Sequence, residues 1–245
     1  MIPFLLRRFA PGDLSINVSG LTVGIIDACN APTQLPRANL RWDQIVPGPG
    51  ETFVEYLVYR RIPGEQWVAI ASYDTIGTVT HVDYEAPSGR GLDWAVTWRG
   101  SVSGFEYESV KLPVGARLQF DWLWLHLVAD PTVYLRFDAR DATIEDIQDA
   151  AEVFTWGTSK SRVQFGEKFY AQIQVPGMER LTRDRAFWQR LRALRLGQLD
   201  TVLCARFGLS EERYFVAIMS GTKTNRRLQM TPQISLVEVD YEEAV

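Results

Sequence analysis

A chain of 245 residues and 27.9 kDa is long enough for one large domain or two modest ones. Hydrophobic residues make up 46% and charged residues 23%, a globular balance that excludes a disordered or fibrous chain. The 26 Lys and Arg stand against 30 Asp and Glu, a formal charge of −4, so nothing electrostatic calls for nucleic acid or an anionic membrane as the main partner.

Residues 1–32 form a short N-terminal arm. Met1-Ile2-Pro3-Phe4-Leu5-Leu6 is apolar but stops at Arg7-Arg8, the wrong order for a signal peptide, so an unexported protein is expected. Asp13 to Ser19 alternates apolar and polar residues, and Leu21 to Ile26 follows after a glycine; both read as strands. So short a segment cannot bury a core by itself and must pack on the rest of the chain or on another subunit. Ala31 to Pro36, with two prolines, reads as a linker.

The stretch 33–112 is a run of short strands between turn signals. They lie near Leu40 to Ile45, Phe53 to Arg61, Trp67 to Ala71, Val79 to Val82, Leu92 to Trp98 and Phe105 to Val110. In the second, Tyr56 and Val58 fall on one face and Leu57 and Tyr59 on the other. Such spacing without a helical stretch predicts a small antiparallel β-sandwich.

The stretch 113–245 reads as an α+β domain, a sheet or barrel with one flanking helix. Phe120 to Val128 alternates strictly but is apolar on both faces, which predicts a strand covered on both sides. Thr132 to Phe137 is a further strand. Thr143 to Glu152 places Ile144, Ile147 and Ala151 at helical spacing and fits a helix or an acidic loop. Val163 to Phe165 and Phe169 to Val175 read as a strand pair around Gly166. Arg180 to Leu196 reads as the helix, capped by Thr182 and stopped by Gly197. Strands over Thr201 to Arg206, Arg213 to Ile218, Arg227 to Met230 and Gln233 to Val239 complete the set.

Chemistry-bearing patterns are scarce. Cys29 and Cys204 are too few for a disulfide framework or a thiolate zinc site and read as buried thiols. His126 shares an apolar face with Trp122 and Trp124 and reads as structural. Gly157-Thr158-Ser159-Lys160-Ser161 lacks two glycines of a phosphate-binding loop and is a polar turn. The pairs Glu145/Asp146, Asp149/Glu152 and Glu242/Glu243 read as solvated acidic surface, with a glycosidase-type carboxylate pair as the minority reading. Of the 26 basic residues only four are lysine. Arginine, planar and weakly hydrated, suits packed interfaces, and Arg183, Arg190, Arg192 and Arg195 on the expected helix are the candidate interface residues. Eight tryptophans fall mostly on strand faces, where core packing outweighs a sugar-stacking platform.

The stretch from about Pro36 to Leu112 resembles a fibronectin type III domain. Trp42 stands at that family's core tryptophan, Tyr56-Leu57-Val58-Tyr59-Arg60-Arg61 resembles its third strand, and Trp67 its following strand. Asp83-Tyr84-Glu85-Ala86-Pro87-Ser88-Gly89-Arg90 is similar to the loop leading into the sixth strand. Leu92 departs from the pattern, standing where the tyrosine-corner residue would. With the Trp-rich strands, the strand–helix–strand and Arg213-Tyr214-Phe215-Val216-Ala217-Ile218, roughly residues 36–240 resemble minor tail proteins of long-tailed bacteriophages. The resemblance implies a last domain of tail-tube or distal-tail type. It also implies a non-enzymatic, cofactor-free structural component of the tail tip or baseplate, made in the host cytoplasm and ending in the virion tail. Its expected partners are itself, as a trimeric or hexameric ring, and other tail proteins, without sequence recognition of nucleic acid and without membrane insertion. A host-adhesion module gripping surface glycan is the alternative, and a glycan-cleaving enzyme the remoter one.

Overall fold

The computed structural model describes residues 17–27, 34–137, 142–148, 152–154, 162–164, 169–175, 180–181, 202–208, 212–226, 229–239 and 241. Among these the secondary structure is β throughout and every strand pairing is antiparallel. The chain divides into two compact units, one running to Phe120 and the other from Asp121 to Tyr241.

The first unit contains β1 (Thr22–Ile26), β2 (Arg37–Arg41), β3 (Glu51–Arg61), β4 (Val68–Tyr73), β5 (Thr80–Asp83), β6 (Gly91–Val102), β7 (Phe105–Glu108) and β8 (Val114–Arg117). They make two sheets, one ordered β1-β2-β5 and the other β4-β3-β6-β7, with β8 also on β6. The period-2 alternation of β3 and β6 turns Tyr56, Val58, Trp94, Val96 and Trp98 onto one face, and all are buried. Trp42, just past β2, meets the Tyr56 ring edge-on at 5.7 Å, so facing side chains of the two sheets share one core. The Trp98 ring lies over Gly100 so closely that a Cβ there would sit 2.3 Å from it, which is why β6 carries a glycine at that point. Ser103 and Gly104, both at positive φ (50° and 81°), form the two-residue turn that sets the β6–β7 register at Val102↔Phe105.

The described part of the arm packs on the rest of the chain, one of the two placements expected for it, since β1 runs against β2 from Thr22↔Arg41 to Ile26↔Arg37. The boundary drawn at 112/113 moves to Phe120. The cause is β8, which pairs with β6 from Gly91↔Arg117 to Trp94↔Val114, and Ser88, whose Oγ donates to the Phe120 carbonyl (3.2 Å) and accepts from its N–H (3.0 Å).

The second unit contains β9 (Leu123–Leu127), β10 (Tyr134–Phe137), β11 (Thr143–Gln148), β12 (Glu152–Phe154), β13 (Arg162–Gln164), β14 (Phe169–Val175), β15 (Arg180–Leu181), β16 (Leu203–Phe207), β17 (Arg213–Arg226) and β18 (Gln229–Glu238). One sheet runs β10-β9-β16-β17-β18-β14-β11 with β15 on β18, and β12–β13 is a separate hairpin. Alternate residues of six strands (Leu123, Leu125, Leu135, Ile173, Val175, Leu203, Ala205, Phe207, Val216, Ile234, Leu236) form a single apolar cluster on one face. Trp124 and His126, on the other face of β9, are buried as well, as expected for a strand covered on both sides.

Four readings need correction. Thr143 to Gln148 is a strand, because pairing with β14 (Thr143↔Gln174 to Gln148↔Phe169) outweighs the helical spacing of two isoleucines. β13 and β14 do not pair with each other; β13 pairs with β12, and β14 lies between β11 and β18. The expected helix near 180–196 begins as strand, with Arg180↔Met230 and Leu181↔Gln229, and its remainder lies outside the described residues. The strands expected over Arg227 to Met230 and Gln233 to Val239 are one strand, β18, running through Pro232. Pro232 falls between the stretches of β18 that β15 and β14 cover, where a missing N–H costs no ladder bond on that side.

Candidate functional site

The best-defined polar constellation lies in the first unit. Arg60 has the same parity as Tyr56 and Val58 and so points inward, where an unpaired cation would be costly. Its Nη1 donates to both Asp83 oxygens, at 2.8 and 2.9 Å. Trp94 Nε1–H donates to Oδ2 at 2.9 Å and the Glu85 N–H to Oδ1 at 3.0 Å. Burial pushes the Asp83 carboxyl up, but Arg60 and the Trp94 N–H outweigh it and bring the pKa down to about 2. A carboxylate held by these donors is ionised and saturated, with no lone pair left for acid–base work. It joins the end of β5 to β3 and β6, and its role is to lock the sheets.

On the opposite face of β3 and β6, Leu57, Tyr59 and Ala95 are buried with Trp67 and Ala69 against them. Lys111 Nζ lies 4.0 Å from the Tyr59 ring centre and donates to Glu108 (2.8 Å), which also accepts from Thr97 Oγ1 (2.8 Å). Burial raises Glu108, but its bonds from Lys111, Thr97 and Tyr59 prevail and hold it below the usual carboxylate range. Arg61 lies over Trp67 at 4.2 Å and bonds Asp93 at 3.0 Å. Arg136 lies over Trp122 at 4.7 Å. Both of these half-buried indoles already carry a guanidinium on one face, while Trp42, Trp94, Trp98 and Trp124 are buried. Sugar stacking therefore finds little open ring surface among the described tryptophans.

The exposed apolar side chains are more telling. Val46 is 76% and Phe105 67% exposed, and the pairing Glu51↔Val102 puts the loop before β3 and the β6–β7 turn at one end of the unit. The Tyr56 hydroxyl organises that end. It accepts from the Ile45 N–H at 3.0 Å and donates to the Ile76 carbonyl at 3.3 Å, tying loops from both sheets.

In the second unit the register sets His126 beside Cys204 and Trp124 beside Arg206, all four buried on the face away from the main apolar cluster. Glu145 and Asp146 are exposed on β11, and as neighbours in a strand they point to opposite faces, so they cannot flank one scissile bond as a pair. Among the described residues no three His, Cys, Asp or Glu side chains converge as a metal site. The candidate interface residues Arg183, Arg190, Arg192 and Arg195 lie outside the described residues, as do Glu242 and Glu243. What sequence reasoning missed is the Arg60–Asp83–Trp94 lock. Its signal was the inward parity of Arg60, which demands a carboxylate without saying which one. Comparison with protein-family models, with curated proteins and with solved structures returns no match.

Proposed function

We propose that this protein is a structural component of the tail tip or baseplate of a long-tailed bacteriophage, assembling by protein–protein contacts into a ring. The observation that carries this reading is the strand order of the first unit. Sheets β1-β2-β5 and β4-β3-β6-β7 joined through Trp42 and Tyr56 are what a fibronectin type III-like sandwich would have, with Trp42 after its second strand and Tyr56 to Arg61 in its third. The second unit, a large antiparallel sheet with a long β17–β18 hairpin, suits a tail-tube or distal-tail-like domain. Exposed Val46 and Phe105 at one end of the first unit suit contact with another protein.

Co-expression with the products of the neighbouring genes tests the reading. Size-exclusion chromatography and electron microscopy should find this chain in ring- or tip-shaped particles. A chain that elutes apart from all those products overturns it.

A further inference from the structure

The β17–β18 hairpin outruns the strands beside it. Among the described residues β16 pairs with β17 only over Arg213–Val216, and β14 with β18 only over Ile234–Val237. The two hairpin strands nevertheless stay paired from Val216↔Glu238 out to Arg226↔Gln229, with one register shift between Ile218 and Ser220. At the far end β15 is the strand that joins them among the described residues, so Arg226, Gln229 and Leu181 form one row and Asn225, Met230 and Arg180 the next. This three-strand tip is basic. From Ser220 to Gln233 the sequence holds Lys223, Arg226 and Arg227 and no Asp or Glu, and β15 adds Arg180. The sequence flanking β15 is mixed, with Glu179 and Asp184 beside Arg183 and Arg185, so the excess of positive charge rests on the hairpin and Arg180. In a chain of net charge −4, that concentration is a local reversal.

The same sheet ends in the opposite sign. β11 is its last strand and, among the described residues, pairs only with β14. Glu145 and Asp146 are exposed on it. The sequence from Asp138 to Glu152 carries six acidic residues against one arginine.

We propose that the basic tip of β15, β17 and β18 in one copy docks on the acidic edge strand β11 of a second copy. The contact is heterologous, one patch meeting a different one, so repetition builds a closed ring or an open helix according to the rotation per step. The proposal rests on the reading of the protein as a self-assembling component and adds the surfaces that would join. A polyanionic nucleic acid is the weaker occupant, because the acidic edge of the same sheet would repel it.

Charge reversal on the full chain tests this, read by mass photometry and sedimentation equilibrium. Lys223→Glu with Arg226→Glu should weaken self-association on the order of tenfold or more, and Glu145→Lys with Asp146→Lys should do the same. Mixing the two variants should restore it, since each tip then meets an edge of opposite sign, and so should all four changes in one chain. Rescue of this kind distinguishes a lost contact from a damaged fold. Self-association unmoved by either reversal, or weakened by both without rescue, overturns the interface and leaves the tail reading to its own co-assembly test. A wild-type chain that is monomeric alone also overturns the interface, whatever it does with tail proteins. Duplex DNA retained by the wild type and released by Lys223→Glu with Arg226→Glu, with self-association unchanged, assigns the tip to nucleic acid instead.

Discussion

Arg60 and Asp83 are the side chains on which the first unit is most exposed to a single change. Asp83→Asn keeps the shape but leaves the Arg60 guanidinium buried without a counter-charge, at a cost of about 3–5 kcal/mol. Denaturant titration should show the loss, and adding Arg60→Met should recover part of it. The pH dependence follows from the same pair. Asp83 titrates at about 2 in the fold against 3.8 when free, so its contribution is present above the free value and is lost as pH falls towards 2. This contribution is on the order of 2 kcal/mol, and Asp83→Asn should flatten that part of the acid-unfolding curve. Half of this pair was legible, because Arg60 shares parity with Tyr56 and Val58. Asp83, 23 positions on, was not, since only folding brings β5 beside β3.

At the scale of elements, alternation was a reliable guide and helical spacing was not. β3, β6, β9 and β14 lie where the period-2 pattern puts them, because a strand with a buried face must alternate. β11 was misread because Ile144 and Ile147, three apart, fit the helical period and fall on opposite faces of the strand, and because its neighbour β14 is remote in sequence. The joining of the tip strands was not legible, because β15 meets β18 across some 50 residues. The elements of the second unit are held by the face carrying Leu123 and Leu125. Leu125→Ala removes a buried side chain from the centre of that cluster and should cost about 2–5 kcal/mol. In calorimetry the transition of the second unit should fall while that of the first stays in place.

For the whole molecule the division at Phe120 predicts which pieces survive alone. A fragment of residues 17–120 keeps both sheets and should melt cooperatively. A fragment of residues 36–112 loses β1 and β8, leaving the edges of β2 and β6 unpaired, and should melt well below it or not fold. Equal melting temperatures for the two would place the boundary back at Leu112. One edge that remains is blunted by a bulge: β4, an uncharged strand at the end of its sheet, carries Ile70 as an extra residue opposite Val58 and Tyr59.

The fastening of Phe120 has a mechanical consequence. Its N–H and C=O both bond the same buried Ser88 hydroxyl, and the Gly89 N–H bonds Leu118 at 2.9 Å just before it. Tension passed along the chain from the second unit would reach the first at this clasp, and only afterwards the β8–β6 ladder. The first unit is thus anchored where a pull would enter it, and the clasp must yield before β8 can peel from its sheet.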